Sequence, residues 1–450
     1  MRNWLWAVCA AAVVGLASGA ARAQPPPDSP LGELPPITGD PFTDPIFNPP
    51  GVPKPVPAPP VKLPDAPVAA PAPVECHPRY ALVACGCAPD FTTWLTAEWV
   101  IGTTRGPSLV PVVTTGPASA GALAGAVGQS GTVPLFGGHP VLNDWRSGLR
   151  VEAGIWLDND HRTGVSARFY SLFSGSEAFA ARPAGATVVN LPQFTPTAAG
   201  TVQTPLFVAF PGTTVGRVMA STRTSFAGGD LNFRRLLDRG DNYRIELLAG
   251  YRQLHLGDEL GASFDVTTTG VPLAAARLFG GDAVHTSDNF YGPQLGLYAA
   301  TEWNRVTLEA HAASALGATV SDLEFSRSRT LVTGPLGGPL TTTAALVALG
   351  VPPATALALA PTARALATNQ VSLARSNTSN TVTYFGVVGE GGGRLSWRAT
   401  DHIRLTAGYS FTYWNNVRRA QEMFVSSPVL RARAVDFTAH LFSIGVDVRY

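Results

Sequence analysis

The chain of 450 residues carries little charge, because Asp, Glu, Lys and Arg make up 14% of it and 32 basic side chains nearly cancel 31 acidic ones. This balance argues against nucleic acid as a partner, since nucleic-acid binding needs a concentrated basic surface. Glycine and proline are abundant, at 46 and 39 residues. Apart from an apolar run near the N-terminus, the chain has no apolar stretch of about 18 residues. This excludes helical membrane spans and favours an all-β protein.

Residues 1–23 have the pattern of a signal peptide. A charged start precedes an apolar run, and Ala21-Arg22-Ala23 forms a small-x-small cleavage site. A permanent membrane anchor is the weaker alternative, because the run contains Gly and Ser and is short for a span of roughly 20 residues. Residues 24–75 are then predicted to be a proline-rich periplasmic linker in the polyproline II conformation, without a core.

Residues 76–90 form a short segment that contains Cys76, Cys85 and Cys87, the cysteines that remain after signal cleavage. In an oxidising compartment we expect one disulfide and one spare or intermolecular thiol. A metal site that adds His77 is the alternative, but the last two cysteines lack the two-residue spacing typical of zinc turns. We therefore expect no cofactor and no metal site, and the pairing of the cysteines stays open.

Residues 91–450 show hydrophobic alternation of period two, which places successive side chains on opposite faces of a strand. In the segment YRIELLAGYR, Ile245 and Leu247 share an apolar face, whereas Arg244 and Glu246 share a charged face. An apolar face toward lipid and a polar face toward the lumen is the arrangement of a membrane barrel. These residues are therefore predicted to form a closed antiparallel transmembrane β-barrel.

The connectors between the predicted strands alternate between short and long, as do the periplasmic turns and extracellular loops of outer-membrane barrels. This alternation puts both termini in the periplasm and predicts about ten strands, with twelve as the nearest alternative if loop segments such as 263–269 pair. Barrels of about eight strands have a filled interior and those of about 16 have an open channel, so we expect a narrow or plugged lumen. The predicted strands are 91–101, 145–157, 164–173, 222–236, 243–257, 289–302, 305–316, 382–398, 402–416 and 434–450.

Aromatic side chains cluster at the strand ends, which predicts two interfacial girdles. General enrichment of aromatics in strands explains their presence but not their grouping at both ends. The outer group is Trp145, Tyr170, Tyr291, Tyr384 and Trp414, and the inner group is Trp156, Phe233, Tyr243, Trp303, Trp397 and Tyr450.

Fourteen charged side chains share the inward parity of the predicted strands and are candidate lumen residues, either structural or pore-lining. Opposite charges in a narrow interior either lock into a salt-bridged network that closes the lumen or flank a thin aqueous path, and parity does not choose between these. The residues are Glu98, Arg150, Glu152, Arg168, Arg234, Arg244, Glu246, Arg252, Glu302, Glu309, Arg394, Arg404, Asp447 and Arg449.

The C-terminal segment FSIGVDVRY places Phe442 and Tyr450 on its apolar face. It is similar to the closing strand of outer-membrane proteins, whose aromatic terminus is recognised by the barrel assembly machinery. Leu441 beside Phe442 breaks the alternation, which predicts a β-bulge at this position.

His255, close to Asp258 and Glu259 at the outer end of a predicted strand, is the strongest catalytic candidate. The chain lacks a G-x-S-x-G nucleophile elbow and an H-E-x-x-H zinc helix. The glycine-rich segment 389–393 is followed by a predicted strand rather than a helix, unlike a phosphate-binding loop. We therefore expect no enzyme, and an outer-membrane hydrolase is the least favoured function.

Most of residues 91–450 resembles the planctomycete β-barrel porin family seven. The matching stretches are WLTAEWVIG, SLVPVVTTG, VPLFGG, SGLRVEAGIWLD, YRIELLAGYRQLHLGDEL and the run from SNTSNTVTYFGVVGEGGG to YSFTYWNNVRRA. The resemblance implies a β-barrel in the bacterial outer membrane. Where the family usually has a proline after the arginine, this chain has Arg419-Ala420, so we expect the external loop there to differ.

The function predicted first from the sequence is that of a porin-like outer-membrane barrel, and a non-conducting barrel is the alternative. A porin-like barrel would allow passive passage of small solutes through a narrow lumen. A non-conducting structural or surface-display barrel would instead use its loops to contact partners. In both cases the expected partners are outer-membrane lipid and the barrel assembly machinery.

Overall fold

The computed structural model describes residues 93–106, 109–183, 187–197, 200–269, 276–332, 370–423 and 434–450. The predicted signal peptide, proline-rich linker and cysteine segment lie outside the described residues and stay predictions. Within those described ranges, no helix is both long enough and apolar enough to cross a membrane. Strands dominate instead, with one short 3₁₀ helix at Ala118–Leu123 and a four-residue helix, α1, at Ala420–Met423.

Fourteen strands follow one another along the described chain. They are β1 Thr93–Thr104, β2 Val113–Thr115, β3 Val133–Phe136, β4 Arg146–Trp156, β5 Thr163–Ala181, β6 Val189–Thr197, β7 Gly200–Ala209, β8 Thr214–Arg239, β9 Tyr243–Thr268, β10 Arg277–Trp303, β11 Val306–Val332, β12 Gln370–Arg398, β13 Ile403–Val417 and β14 Val435–Arg449.

Ten of these strands, β1, β4, β5 and β8 to β14, form one antiparallel ring in which each strand pairs with two neighbours. The ring closes because β1 pairs with both β14 and β4, with Trp94 opposite Arg449 and Glu98 opposite Arg150. Closure leaves no edge with unpaired backbone groups, which hydrocarbon would not tolerate. The predicted ten antiparallel strands are confirmed, and the segment considered for two further strands continues β9 instead.

Five consecutive strands, β8 to β12, are much longer than predicted. They contain 26 to 29 residues, whereas about ten tilted residues cross a bilayer. The alternation continues along β9 with reversed polarity, because inward Leu260 and Phe264 are buried and apolar, while outward Glu259 and Ser263 are polar and exposed. The predicted strand ended at this reversal because the apolar outward face ends there. The segment 258–288, predicted to be a loop, is instead mostly strand.

A small sheet in the order β3-β2-β6-β7, which we call the cap sheet, was not predicted. It lies within the segments 102–144 and 174–221, both of which were predicted to be loops. Leu191 and Leu206 of the cap sheet belong to the same buried apolar cluster as Leu260 on the extended part of β9. The extended strands and the cap sheet therefore share a hydrophobic core of their own.

The aromatic residues divide between the two faces of the barrel. Tyr170, Trp156 and Trp414 are buried, and Tyr384 contacts Arg418 inside the ring, so their assignment to lipid-facing girdles was wrong. The error arises because inward-facing rings also collect near the strand ends, where the lumen is apolar or carries arginines. The other assigned aromatics with large exposed surfaces are Trp145, Phe233, Tyr243, Trp303, Trp397 and Tyr450.

The bulge predicted at Leu441 and Phe442 is wrong, since β14 keeps an unbroken register there with both β1 and β13. Leu441 faces inward and is buried, while Phe442 faces outward and is exposed. Leu441 and Phe442 therefore still alternate between the two faces. Leu441 is apolar although it faces inward, because the lumen is lined by apolar side chains at its level.

Candidate functional site in the lumen

Inward charged side chains from different walls of the barrel meet in a network of ion pairs, which we call the lower network. It lies at the end of the barrel where the turns are short. Of the fourteen predicted lumen residues it contains Glu98, Arg150, Glu152, Arg234, Arg244, Glu246, Glu309, Arg394, Asp447 and Arg449. The other four are placed elsewhere: Arg168 and Arg252 join a second cluster, Glu302 pairs with Arg398, and Arg404 donates to Thr307.

Arg394 of β12 links several carboxylates of the lower network. Its Nη2 atom lies 2.5 Å from Glu309 Oε2, and its Nη1 atom lies 3.8 Å from Glu152 Oε2 and 3.9 Å from Glu98 Oε1. Glu98 and Glu152 are on β1 and β4, which are not neighbours of β12, so these contacts cross the lumen. Pairing of this kind is what makes buried charges tolerable, because an isolated buried ion costs several kcal/mol.

A second group of ion pairs, the upper network, lies farther from the short turns. Arg168 of β5 and Arg252 of β9 both bind Glu390 of β12, at 2.6 and 2.8 Å. Arg168 also pairs with Asp230 at 2.6 Å, and His311 Nε2 lies 3.0 Å from Glu390 Oε1. Three strands that are not mutual neighbours are thus joined through one carboxylate.

Asp230, Glu390 and His311 were not among the predicted lumen residues. Asp230 has the same parity as Arg234 and Glu390 the same parity as Arg394, so the alternation that identified the arginines could have found both acids. Glu390 was treated only as part of a glycine-rich segment. His311 has the same parity as Glu309 on β11, so the alternation could have found it as well.

An apolar layer fills the lumen next to the upper network, on the side of the long connectors. The ring centroids of Phe226 on β8 and Phe437 on β14 are 4.8 Å apart, although these strands are not neighbours in the ring. Phe290 on β10 likewise lies 6.2 Å from Trp414 on β13. The apolar layer is formed by Val100, Tyr170, Leu172, Phe226, Leu254, Leu256, Phe290, Ala315, Val388, Trp414, Val417, Phe437, Ala439 and Leu441, all buried.

The segment that follows β13, residues 418–423, enters the barrel and is called the latch. Arg419, with 1% exposed surface, forms an ion pair with Asp258 of β9, which is fully buried. The Arg418 backbone N–H donates to Asp288 Oδ2 of β10 at 3.0 Å. Gln421 Nε2 donates to Thr222 Oγ1 of β8 at 3.0 Å. The segment predicted as the start of an external loop therefore binds three strands from inside.

The structure separates two residues of the catalytic candidate and leaves Glu259 on the outward face, where its Oε1 atom lies 3.6 Å from His285 Nδ1. His255 lies on the outward face of β9, where its Nδ1 atom is 3.0 Å from Asn289 Oδ1, whereas Asp258 points inward to Arg419. Across the part of the chain that the structure describes, no group of three or more His, Cys, Asp or Glu side chains is arranged to hold a metal ion. The three cysteines lie outside the described residues.

Several solved structures of membrane barrels are similar to this chain. The outer membrane protease OmpT from Escherichia coli is 10% identical, with 82% of this chain and 100% of that chain covered and a TM-score of 0.38. The CymD monoaromatic hydrocarbon channel is 11% identical, with 80% and 89% covered and a TM-score of 0.23. The translocator domain of the autotransporter NalP from Neisseria meningitidis is 8% identical, with 80% and 88% covered and a TM-score of 0.22.

No curated protein matches the chain. A family model does match: the one described as "Putative beta barrel porin-7" covers residues 94–355, which is more than half of the sequence and includes most of the ring strands. The chain belongs to this β-barrel porin-7 family.

Proposed function

We propose that this protein is an outer-membrane barrel whose lumen does not conduct in the described conformation, and that it serves a structural or surface-display role. The observation that carries the proposal is the packing of the lumen. At successive levels, side chains from opposite walls touch through the lower network, the upper network, the apolar layer and the latch. A barrel of about ten strands is narrow enough for its own side chains to fill.

The apolar layer is the strongest barrier to solutes. A hydrated ion that reached it would have to lose water among the apolar rings of Phe226, Phe290 and Phe437, at a cost of several kcal/mol. The latch adds a second obstacle on the side of the long connectors. Opening a path would require both removal of the latch and separation of Phe226 from Phe437.

The proposed orientation puts both termini in the periplasm and the cap sheet outside the cell. It is supported by the contrast between the short connectors at one end, such as 157–162 and 240–242, and the long extensions at the other. An epitope inserted at Gly212, between β7 and β8, should bind antibody on intact cells. The same epitope at Asp160 should bind only after the outer membrane is permeabilised, and the reverse result would contradict this orientation.

Planar-bilayer recording of the purified full chain tests the closed lumen. We expect no discrete conductance steps from protein that shows the heat-modifiable gel mobility of a folded barrel. Steady, discrete openings from the same preparation would contradict the proposal and favour solute passage.

Passive passage of small solutes through a narrow lumen is the second candidate, and one observation favours it. A cavity of about 80 Å³ lies beside the lower network at the short-turn end, and its lining includes Trp94, Trp156, Tyr298, Arg234 and Arg244. Such a cavity would serve as a vestibule if the layers beyond it opened. Liposomes that contain the protein would then swell in small solutes faster than protein-free liposomes.

We also propose that the protein has no catalytic function and that its partners are outer-membrane lipid and the barrel assembly machinery. The separation of His255 and Asp258 onto opposite faces of β9 supports the first statement. Exposed apolar side chains around the ring, such as Leu295, Leu297 and Ile444, support contact with lipid. The pairing of β14 with β1 supports a role for the last strand in assembly.

A further inference from the structure

The outward surface of the extended strands is polar and contains an open groove above the lipid-facing part. The groove lies on β5, β8, β9 and β10, has a volume of about 780 Å³, and begins at exposed Phe173. Its lining includes Ser174, Ser176, Ser221 and Arg223. Hydroxyl groups that both donate and accept hydrogen bonds are suited to sugars, whose hydroxyls do the same.

A cluster of arginines lies farther along the same wall, beyond the groove. Arg182, Arg217 and Arg277 surround a single carboxylate, Asp265, in a second open pocket of about 480 Å³. Arg277 donates two hydrogen bonds to the Asp265 carboxylate, of 2.7 Å from Nε and 2.6 Å from Nη2. The Arg217 Nη2 atom lies 3.4 Å from Asp265 Oδ2. Three cations around one anion leave an excess of positive charge.

The guanidinium groups of this cluster are accessible to a ligand. The side chains of Arg217 and Arg277 are 62% and 51% exposed. The hydrogen bonds from Arg277, together with the charges of Arg217 and Arg182, hold the pKa of the Asp265 carboxyl below its ordinary value, so the acid stays ionised and orients its neighbours. The remaining N–H donors fit an oxyanion with several acceptor oxygens, and guanidinium groups bind phosphate in this way.

The distance from Phe173, at the start of the groove, to the arginine cluster fits a ligand whose lipid part is in the membrane and whose polar part extends away from it. Phe173 has the exposure expected of an aromatic at the headgroup level. Arg182 follows it by nine residues, which corresponds to ~20 Å along a tilted strand. A ligand anchored in the outer leaflet would thus pass the hydroxyl-lined groove first and reach the arginines with its anionic group.

We propose that this wall binds a phosphorylated glycolipid of the outer leaflet, with its sugars in the groove and a phosphate on Arg217 and Arg277. The inference uses the orientation proposed above, which the epitope experiment tests independently. A wrong orientation would leave the measured binding unchanged, so the two failures are distinguishable.

Native mass spectrometry of the detergent-solubilised full chain tests this inference, with a lipopolysaccharide as the probe in which a phosphorylated core oligosaccharide extends from the acylated lipid A unit. We expect this lipopolysaccharide to bind the wild type and to bind the Arg217→Gln/Arg277→Gln variant at least tenfold more weakly. The matched control is Arg235→Gln/Arg239→Gln, which removes one exposed and one half-buried arginine from the opposite end of β8 and should leave binding unchanged. Heat-modifiable mobility identical to wild type verifies that both variants are folded.

Two further probes test separately whether binding needs the phosphate and whether it needs the acyl chains. The lipopolysaccharide without its core phosphates should bind the wild type about as weakly as the phosphorylated form binds the Arg217→Gln/Arg277→Gln variant. Equal binding of the phosphorylated form to wild type and this variant, or of the two forms to wild type, would overturn the proposal. If the phosphorylated core oligosaccharide, freed from its acylated part, bound as tightly as the whole lipopolysaccharide, the site would take a soluble phosphoglycan, and the glycolipid assignment would be wrong.

Discussion

The ion pair between Arg419 of the latch and Asp258 of β9 offers the sharpest test of the packed lumen. Replacing Arg419 with alanine would leave the Asp258 carboxylate buried without its hydrogen-bonded partner. Breaking a buried pair in this way costs about 3 to 5 kcal/mol. Arg146 interacts electrostatically with Asp258 but donates its own hydrogen bonds to Thr104 and Thr224, so we expect a loss near the lower limit, ~3 kcal/mol.

The free energy of unfolding, measured by urea titration of the full chain in detergent micelles, would report this loss. Asp258→Asn removes the charge from the other side and should be similarly destabilising, because it leaves the Arg419 cation buried. The double variant should lose less than the sum of the two single losses by ~1.5 kcal/mol or more, since it leaves neither charge behind. Arg235→Ala, at an exposed position of β8, serves as the control and should stay within ~0.5 kcal/mol of wild type.

Strictly additive losses, or single variants within the range of the exposed control, would show that Arg419 is not held inside the barrel. The latch would then be an external loop, as the sequence suggested. The lower network, the upper network and the apolar layer would then remain as the contacts that close the lumen.

Three further changes probe the wall and its closure. Leu297→Arg, on an exposed apolar side chain, should lower the free energy of unfolding in lipid vesicles by about 2 to 4 kcal/mol, and unchanged stability would mean that this face does not contact lipid. Gly154→Ala should reduce thermal stability because its Cβ would lie 2.0 Å from the Trp94 ring, whereas Gly389→Ala has open space and should be neutral; equal effects would contradict this packing. Deletion of residues 442–450 should abolish outer-membrane insertion, and cell fractionation that found heat-modifiable barrel there would refute a closing role for β14.

The pattern of the sequence predicts the ring of strands but not the contacts inside the lumen. Period-two alternation identified the ten ring strands because lipid imposes an apolar outward face on each. The same parity selected Arg234 and Arg394, which the structure places in one network. Parity reports only the face of a strand, however, so it could not show that Arg168 would bind Glu390 across the lumen.

The latch and the long strands escaped prediction for different physical reasons. Arg419 lies in a connector without periodicity, and its partner is 161 residues away in the chain, so no local signal could pair them. The extensions of β8 to β12 do alternate, but with apolar residues inside and polar residues outside. That is the pattern of a barrel wall surrounded by water, and it is the opposite of the pattern that predicts a membrane strand.

The extensions also have a consequence for evolution and engineering. Strand β10 has 27 residues, so more than half of it stands clear of the bilayer, a height of ~40 Å. This part of the wall does not contact lipid, so its outer surface need not be apolar. Substitutions there are limited only by the solubility of the protein and by the pairing of the strands. Turns at its upper margin, such as the one at Gly212, should therefore accept inserted domains, which the wall would hold at a fixed distance from the cell surface.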